Sequence, residues 1–338
     1  MAELATVRMA NNCFNRLVLA SSGRLALPIV TYPGLALTGA TVRQAVQDPQ
    51  IQFDAVAALH ARYQTPFVLS AMDLSAEAEA FGCTLHMSDN EIPSVTGRLV
   101  TNSEQAAKLA LPHPGDRRTA VYLETVRRLK KLPSRPLVLA GCIGPFSLAA
   151  RLVGVSEALE LTLSEPELMQ AVLEKSTTFL AGYAHAFKEA GADGLIMAEP
   201  AAGLLSPRGL STHSSKYVKT IAAAVSDGAF ALILHNCAAR LLHLPAILET
   251  GLTTFHFGAP MDLPAALGKV APEVVLCGNL DPTSVFCQLA PAEVKARASD
   301  LLSRTAPHRN YVLSSGCDVP AAAPLANLDA FYAAVKEQ

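Results

Sequence analysis

Two stretches decide the fold: GLIMAEP at Gly194–Pro200 and FALILHNC at Phe230–Cys237. Each begins with five apolar residues and shows no polar alternation. A strand covered on both faces reads this way, because neither side of the pleat meets water. Just before the first stretch, Glu165–Ala190 sets Leu168, Val172, Leu173 and Phe179 among charged positions, the pattern of an amphipathic helix. Working outward, short apolar runs recur at Ala26–Thr31 (ALPIVT), Pro66–Ser70 (PFVLS), Leu137–Gly141 (LVLAG), Thr253–Phe257 (TTFHF), Val274–Gly278 (VVLCG) and Tyr311–Ser315 (YVLSS). Eight buried strands with intervening helices predict an α/β fold, a single (β/α)8 TIM barrel over residues 1–338. A doubly wound open sheet is the alternative. The segment 72–136 is too long for one crossover. It holds Thr84–Val100 (TLHMSDNEIPSVTGRLV), which reads as a small antiparallel excursion. An insertion on the upper face, after the second strand, is expected there rather than a second domain.

Composition narrows the function. The chain has 338 residues, 27 Lys and Arg against 29 Asp and Glu, and a formal charge of −2. Hydrophobic residues make up 51% and charged residues 17%, which excludes a disordered chain. Near-zero charge without a basic run argues against nucleic acid as a partner. The longest uncharged stretch, between Arg24 and Arg43, is broken by Pro28, Pro33, Gly34 and Gly39, so it reads as strand and loop rather than a membrane span. The N-terminal MAELATVRMANN has no apolar core of signal-peptide type. The seven cysteines are odd in number and scattered, unlike a disulfide framework. A reducing cytoplasm is the expected location.

In a barrel the chemistry sits where strands end at their C-termini. There the sequence places His235-Asn236-Cys237, His256-Phe257-Gly258, Cys277-Gly278-Asn279-Leu280-Asp281-Pro282, Gly316-Cys317-Asp318, Glu199-Pro200, and Met72-Asp73-Leu74 with Glu77 and Glu79 beyond. The sharpest pattern is His235-x-Cys237. In an extended strand end, residues i and i+2 point the same way, so both reach one ion. Cys317 can arrive from another strand end. An imidazole and two thiolates suit Zn²⁺, and three protein ligands leave the fourth position open, as in a catalytic site. Cys277 and Cys142 are rival third ligands; Cys13, Cys83 and Cys287 read as packing. The competing reading is structural: a histidine ending a strand is commonly hydrogen-bonded core, and cysteine is among the most buried residue types.

At these residues the chain resembles the uroporphyrinogen decarboxylase superfamily, and within it the zinc-dependent methylcobamide:coenzyme M methyltransferases. The resemblance runs through MDLSAEAEAFG (Met72–Gly82), GPFSLAARLVG (Gly144–Gly154), GADGLIMAEP with LLSP (Gly191–Pro207), LHNC (Leu234–Cys237), GNLDP (Gly278–Pro282) and SSGCDVP (Ser314–Pro320). It implies the same barrel, with zinc on His235, Cys237 and Cys317. It also implies transfer of a methyl group from a methylated corrinoid protein to a zinc-activated small thiol such as coenzyme M. Asp73, Glu77, Glu199, Asn279 and Asp281 are then candidates to orient ligands or contact the acceptor, although Asp73 also suits a helix cap and Asp281-Pro282 a helix start. The macrocycle should meet an apolar, Gly- and Pro-rich rim such as GCIGPF and LLSP. Two departures stand out. The arginine-rich N-terminal segment of the decarboxylases is represented only by Arg16 and Arg24. The glutamate of coenzyme M members falls where this chain has His256-Phe257-Gly258-Ala259, so His256 or water is expected at the fourth position. The alternatives are a tetrapyrrole decarboxylase, a corrinoid:tetrahydrofolate methyltransferase, and a non-catalytic corrinoid partner or metallochaperone.

Overall fold

The structure, a computed structural model, describes residues 12–337; most of the N-terminal stretch examined for a signal lies outside them. Among the described residues nine strands form: β1 Phe67–Leu69, β2 Thr84–His86, β3 Ser94–Thr96, β4 Leu137–Ile143, β5 Gly194–Ala198, β6 Ala231–Asn236, β7 Thr254–Phe257, β8 Val275–Leu280 and β9 Tyr311–Ser315. Seven of them make one parallel sheet in the order β1-β4-β5-β6-β7-β8-β9. The order follows the chain and never reverses, so the sheet is curled in barrel fashion, not doubly wound. Helices fill the crossovers, the longest being Pro166–Glu189, close to its predicted span.

The absence of polar alternation has a direct structural cause. One side of each strand faces the barrel interior, where Leu27, Phe67, Leu139, Ile196, Ile233, Val275 and Val312 pack together. The other side packs on the helices, through Val68, Val138, Leu195, Leu232, Leu276 and Leu313 among others. Toward the C-terminal ends the interior face turns polar: His235 follows Ile233 by two positions, and Ser314 follows Val312 likewise.

One predicted strand is corrected. Ala26–Thr31 contributes only a bridge, Ala26 opposite Leu313. Pro28 has no N–H to give a ladder, and the Ile29 N–H donates to Ser315 Oγ (2.9 Å) instead of a carbonyl. The stretch still spans the gap between sheet ends. Leu27 N bonds Leu313 O at 2.9 Å, and Thr31 Oγ1 reaches Leu69 O at 3.5 Å. Beyond it the uncharged stretch continues as a 3-10 turn, Tyr32–Gly34, and a short helix, Leu35–Thr38, rather than a loop.

Between β1 and β4, strands β2 and β3 pair antiparallel as the excursion predicts, with Leu85 opposite Val95. Helices Ala76–Phe81, Ser103–Lys108 and Thr119–Leu129 share the same segment. A helix start at Asp281-Pro282 is not found: residues 282–288 form turns, and the helix begins at Pro291. Among the described residues no helix is long and apolar enough to cross a membrane.

Candidate metal centre

His235, Cys237 and Cys317 offer one ligand atom each, all within 4.8 Å of one another. Strand β6 carries His235 on its interior face and releases Cys237 just past its end; Cys317 follows β9 by two residues. Glycine makes this convergence possible. A Cβ on Gly258 would lie 2.0 Å from the carbonyl oxygen of Cys237, so only glycine lets the end of β7 run against that cysteine. At Gly316 a Cβ would meet Ala259 N at 2.8 Å.

The free atom of His235 is set by a chain of hydrogen bonds. Parallel register places His235 beside His256, and Asn279 beside Ser314. The Ser314 hydroxyl donates to the carbonyl of Leu27, which can only accept. Ser314 Oγ is then left to accept from His256 Nε2, 2.7 Å away. Burial, with His235 as the next cause, holds the His256 imidazole well below its ordinary range, so it is neutral and its Nδ1 carries a lone pair. That nitrogen accepts from His235 Nδ1 at 2.8 Å. His235 Nε2 therefore carries the unprotonated lone pair. It is buried and has no hydrogen-bond partner. A buried acceptor without a donor, facing two thiols, fits a borderline-soft dication. His256 is thus not at the ion's fourth position. It stands behind His235, fixing ring and tautomer.

The two thiols differ. Each thiol is the first cause of the other's shift: Cys317 lowers Cys237, whereas Cys237, followed by burial, raises Cys317. Cys237 is the more acidic sulfur. The rival ligands are elsewhere: Cys277 is fully buried in the barrel interior and Cys142 in the outer core, and burial pushes both thiols up. All seven cysteines are free.

A pocket of about 320 Å³ opens over the triad, with Met72, Leu74, Ile92 and Pro93 as apolar wall and Arg151 and Asp318 as its charged side chains. Sequence reasoning missed both, although each lies in a motif already quoted. Arg151 sits on the helix Pro145–Val153, and burial lowers its guanidinium below its ordinary range, an effect Asp73 partly offsets. Both carboxylate oxygens of Asp318 are buried without a partner, and burial, then Cys317, drives its carboxyl well above the usual range.

The other predicted residues are held in the frame. Asp73 accepts from Ser75 N (3.0 Å), Ser75 Oγ (2.5 Å), Tyr122 (2.9 Å) and Arg118. Arg118 also grips Glu79 at 2.6 Å. Glu199 is buried and accepts from Phe146 N, Ser147 N, Ser147 Oγ and Ser214 Oγ at 2.7–3.0 Å, which ties the end of β5 back to the helix Pro145–Val153 after β4. Asn279 donates to the carbonyls of Gly258 (2.9 Å) and Met261 (2.6 Å). Asp281 caps its own turn through Thr283 N and Ser284 N, at 3.1 and 2.6 Å. Glu77 accepts from Ile143 N at 3.1 Å, its second oxygen is unpartnered, and burial raises it to about 8. The expected GCIGPF rim is corrected as well. Gly141–Phe146 is buried because β4 runs to Ile143 and the helix Pro145–Val153 starts directly after it, whereas Leu204 of LLSP is 58% exposed.

Comparison with known proteins agrees with this architecture. The chain matches the family described as Uroporphyrinogen decarboxylase (URO-D) over residues 32–338. The methylcobamide:CoM methyltransferase MtbA of Methanosarcina mazei is 30% identical over 260 residues, 76% of this chain and 75% of that one. A uroporphyrinogen decarboxylase of Psychromonas ingrahamii is 24% identical over 286 residues, 82% of this chain and 80% of its own. The solved structure of a methyltransferase from Methanosarcina mazei superposes with a TM-score of 0.87 at 22% identity, covering 98% of this chain and 99% of that one, a likeness of fold. With a family match that begins at residue 32 and runs to the last residue, the chain belongs to the uroporphyrinogen decarboxylase family.

Proposed function

We propose that this protein is a methyltransferase moving a methyl group from a methylated corrinoid, carried on a partner protein, to a small thiol, with zinc held by His235, Cys237 and Cys317. The observation that carries this reading is the unpartnered Nε2 of His235 within 4.8 Å of two cysteine sulfurs. A decarboxylase needs no such donor set, and a folate amine gains less from zinc than a thiol does. Zinc, when bound, would supply the charge that keeps an acceptor thiol deprotonated near pH 7, where a free thiol with pKa of about 8.5 is mostly protonated.

The chain's own residues supply the setting. Cys237 and Cys317 offset the dication's charge, so a further thiolate stays electron-rich. His256 and Ser314 hold His235 in the ligating tautomer. The apolar wall of Met72, Leu74, Ile92 and Pro93 limits water around the acceptor. A pocket of about 320 Å³ suits a small thiol and is too narrow for a corrin ring, so the donor has to lie across the mouth, near exposed Ile92. Coenzyme M, the acceptor in the names of the relatives, is the first thiol to try. Seven free cysteines agree with a reducing cytoplasm.

The test is loss of methylcobalamin absorbance with a panel of thiols and with tetrahydrofolate, with and without chelator. Zinc-dependent consumption with a thiol supports the reading. Chelator-insensitive release of CO₂ from uroporphyrinogen, or consumption only with tetrahydrofolate, refutes it.

A further inference from the structure

The thiol pocket carries two ionisable side chains that the zinc chemistry does not use. The Arg151 guanidinium makes no hydrogen bond or ion pair with any described residue, although burial strips it of much of its water. Asp318 keeps both carboxylate oxygens buried and unpartnered in the wall of the same pocket. The two do not pair with each other, although they share a cavity of only about 320 Å³. A half-buried cation without a counter-ion and two buried carboxyl oxygens without a donor are both costly, and a protein tolerates them where a ligand completes them. A guanidinium and a separate pair of donor-less carboxyl oxygens are complementary to a ligand with an anion at one end and an amine at the other. Between them, the metal triad selects a sulfur.

We propose that the acceptor is a zwitterionic thiol of the amino-acid class, its acidic group held by Arg151, its ammonium by Asp318, and its sulfur directed to the His235–Cys237–Cys317 centre. This rests on the thiol-transfer reading and sharpens it. Coenzyme M has an anion and a thiol but no amine, so it would leave Asp318 uncompensated. Arg151 suits the anionic end because its planar fork pairs two oxygens at once.

The experiment is calorimetric binding of four thiols to the zinc-loaded protein: L-homocysteine, 3-mercaptopropionate, 2-mercaptoethanesulfonate and 2-mercaptoethanol. Homocysteine is expected to bind at least about tenfold tighter than 3-mercaptopropionate, and 3-mercaptopropionate at least about tenfold tighter than 2-mercaptoethanol, as each charge-assisted bond is worth roughly 1.5–3 kcal/mol. R151Q should erase the second ratio and D318N the first, with zinc content unchanged in both. The proposal is overturned if 3-mercaptopropionate or 2-mercaptoethanesulfonate binds as tightly as homocysteine to the unaltered protein. That comparison needs no variant to fold. Failure of the underlying reading looks different: all four thiols would then bind equally with and without zinc, and the proposal falls with it.

Discussion

At the scale of single residues, the centre depends on where one proton sits. Leu27 can only accept, so Ser314 donates to it, and the chain through His256 leaves the lone pair on His235 Nε2. Replacing His256 by Ala should therefore weaken zinc binding by roughly 10–100-fold without removing a ligand. Competition with a chelator measures this, and unchanged affinity would contradict the relay. The triad itself was legible, because H-x-C at a strand end and a later G-C-D are local patterns. The role of His256 was not, because it depends on the register between β6 and β7. Arg151 and Asp318 were unreadable for the same kind of reason. Nothing local shows that a helix residue and a strand-end carboxylate share one cavity.

At the scale of elements, the polar frame beneath the pocket sets stability. Arg118 joins Asp73 and Glu79 across two helices, and Arg118→Ala should cost roughly 3–5 kcal/mol by leaving buried charge unpaired. Urea unfolding measures it, and a loss below about 1 kcal/mol would argue against the network. Glu77 supplies a pH test. Its carboxyl is raised from 4.5 to about 8, chiefly by burial, so the folded state binds the proton more tightly than the unfolded chain does. Its contribution is complete below about pH 4.5 and is lost as pH rises through 8. Relative to Glu77→Gln, which stays neutral, the unaltered protein should lose stability across that window, on the order of a few kcal/mol at most. Parallel melting curves from pH 5 to 9 would refute it. Gly258→Ala should push Cys237 aside and lower zinc affinity while leaving the circular dichroism of the barrel intact, given the 2.0 Å approach. The strands were readable because both faces are apolar. The exception, Ala26–Thr31, turned on Pro28 and on a side-chain acceptor, Ser315 Oγ, that lies far along the chain.

At the scale of the whole molecule, β6 and β9 are separated in the sheet by β7 and β8, so one ion held by both would clamp four strands together. Binding that occurs only in the folded state raises stability by mass action, about 2.7 kcal/mol at a hundredfold excess over Kd. Zinc should accordingly raise the melting temperature, and Cys237→Ala and Cys317→Ala should abolish that rise while Cys277→Ala keeps it. The central claim is that zinc bound here recruits the acceptor's sulfur, and X-ray absorption at the zinc edge tests it most directly. The account predicts one nitrogen and two sulfurs around zinc in the free protein, and a third sulfur at about 2.3 Å once the thiol is added. A sulfur count that stays at two with saturating thiol, or zinc fully retained in Cys237→Ala and Cys317→Ala, would contradict it.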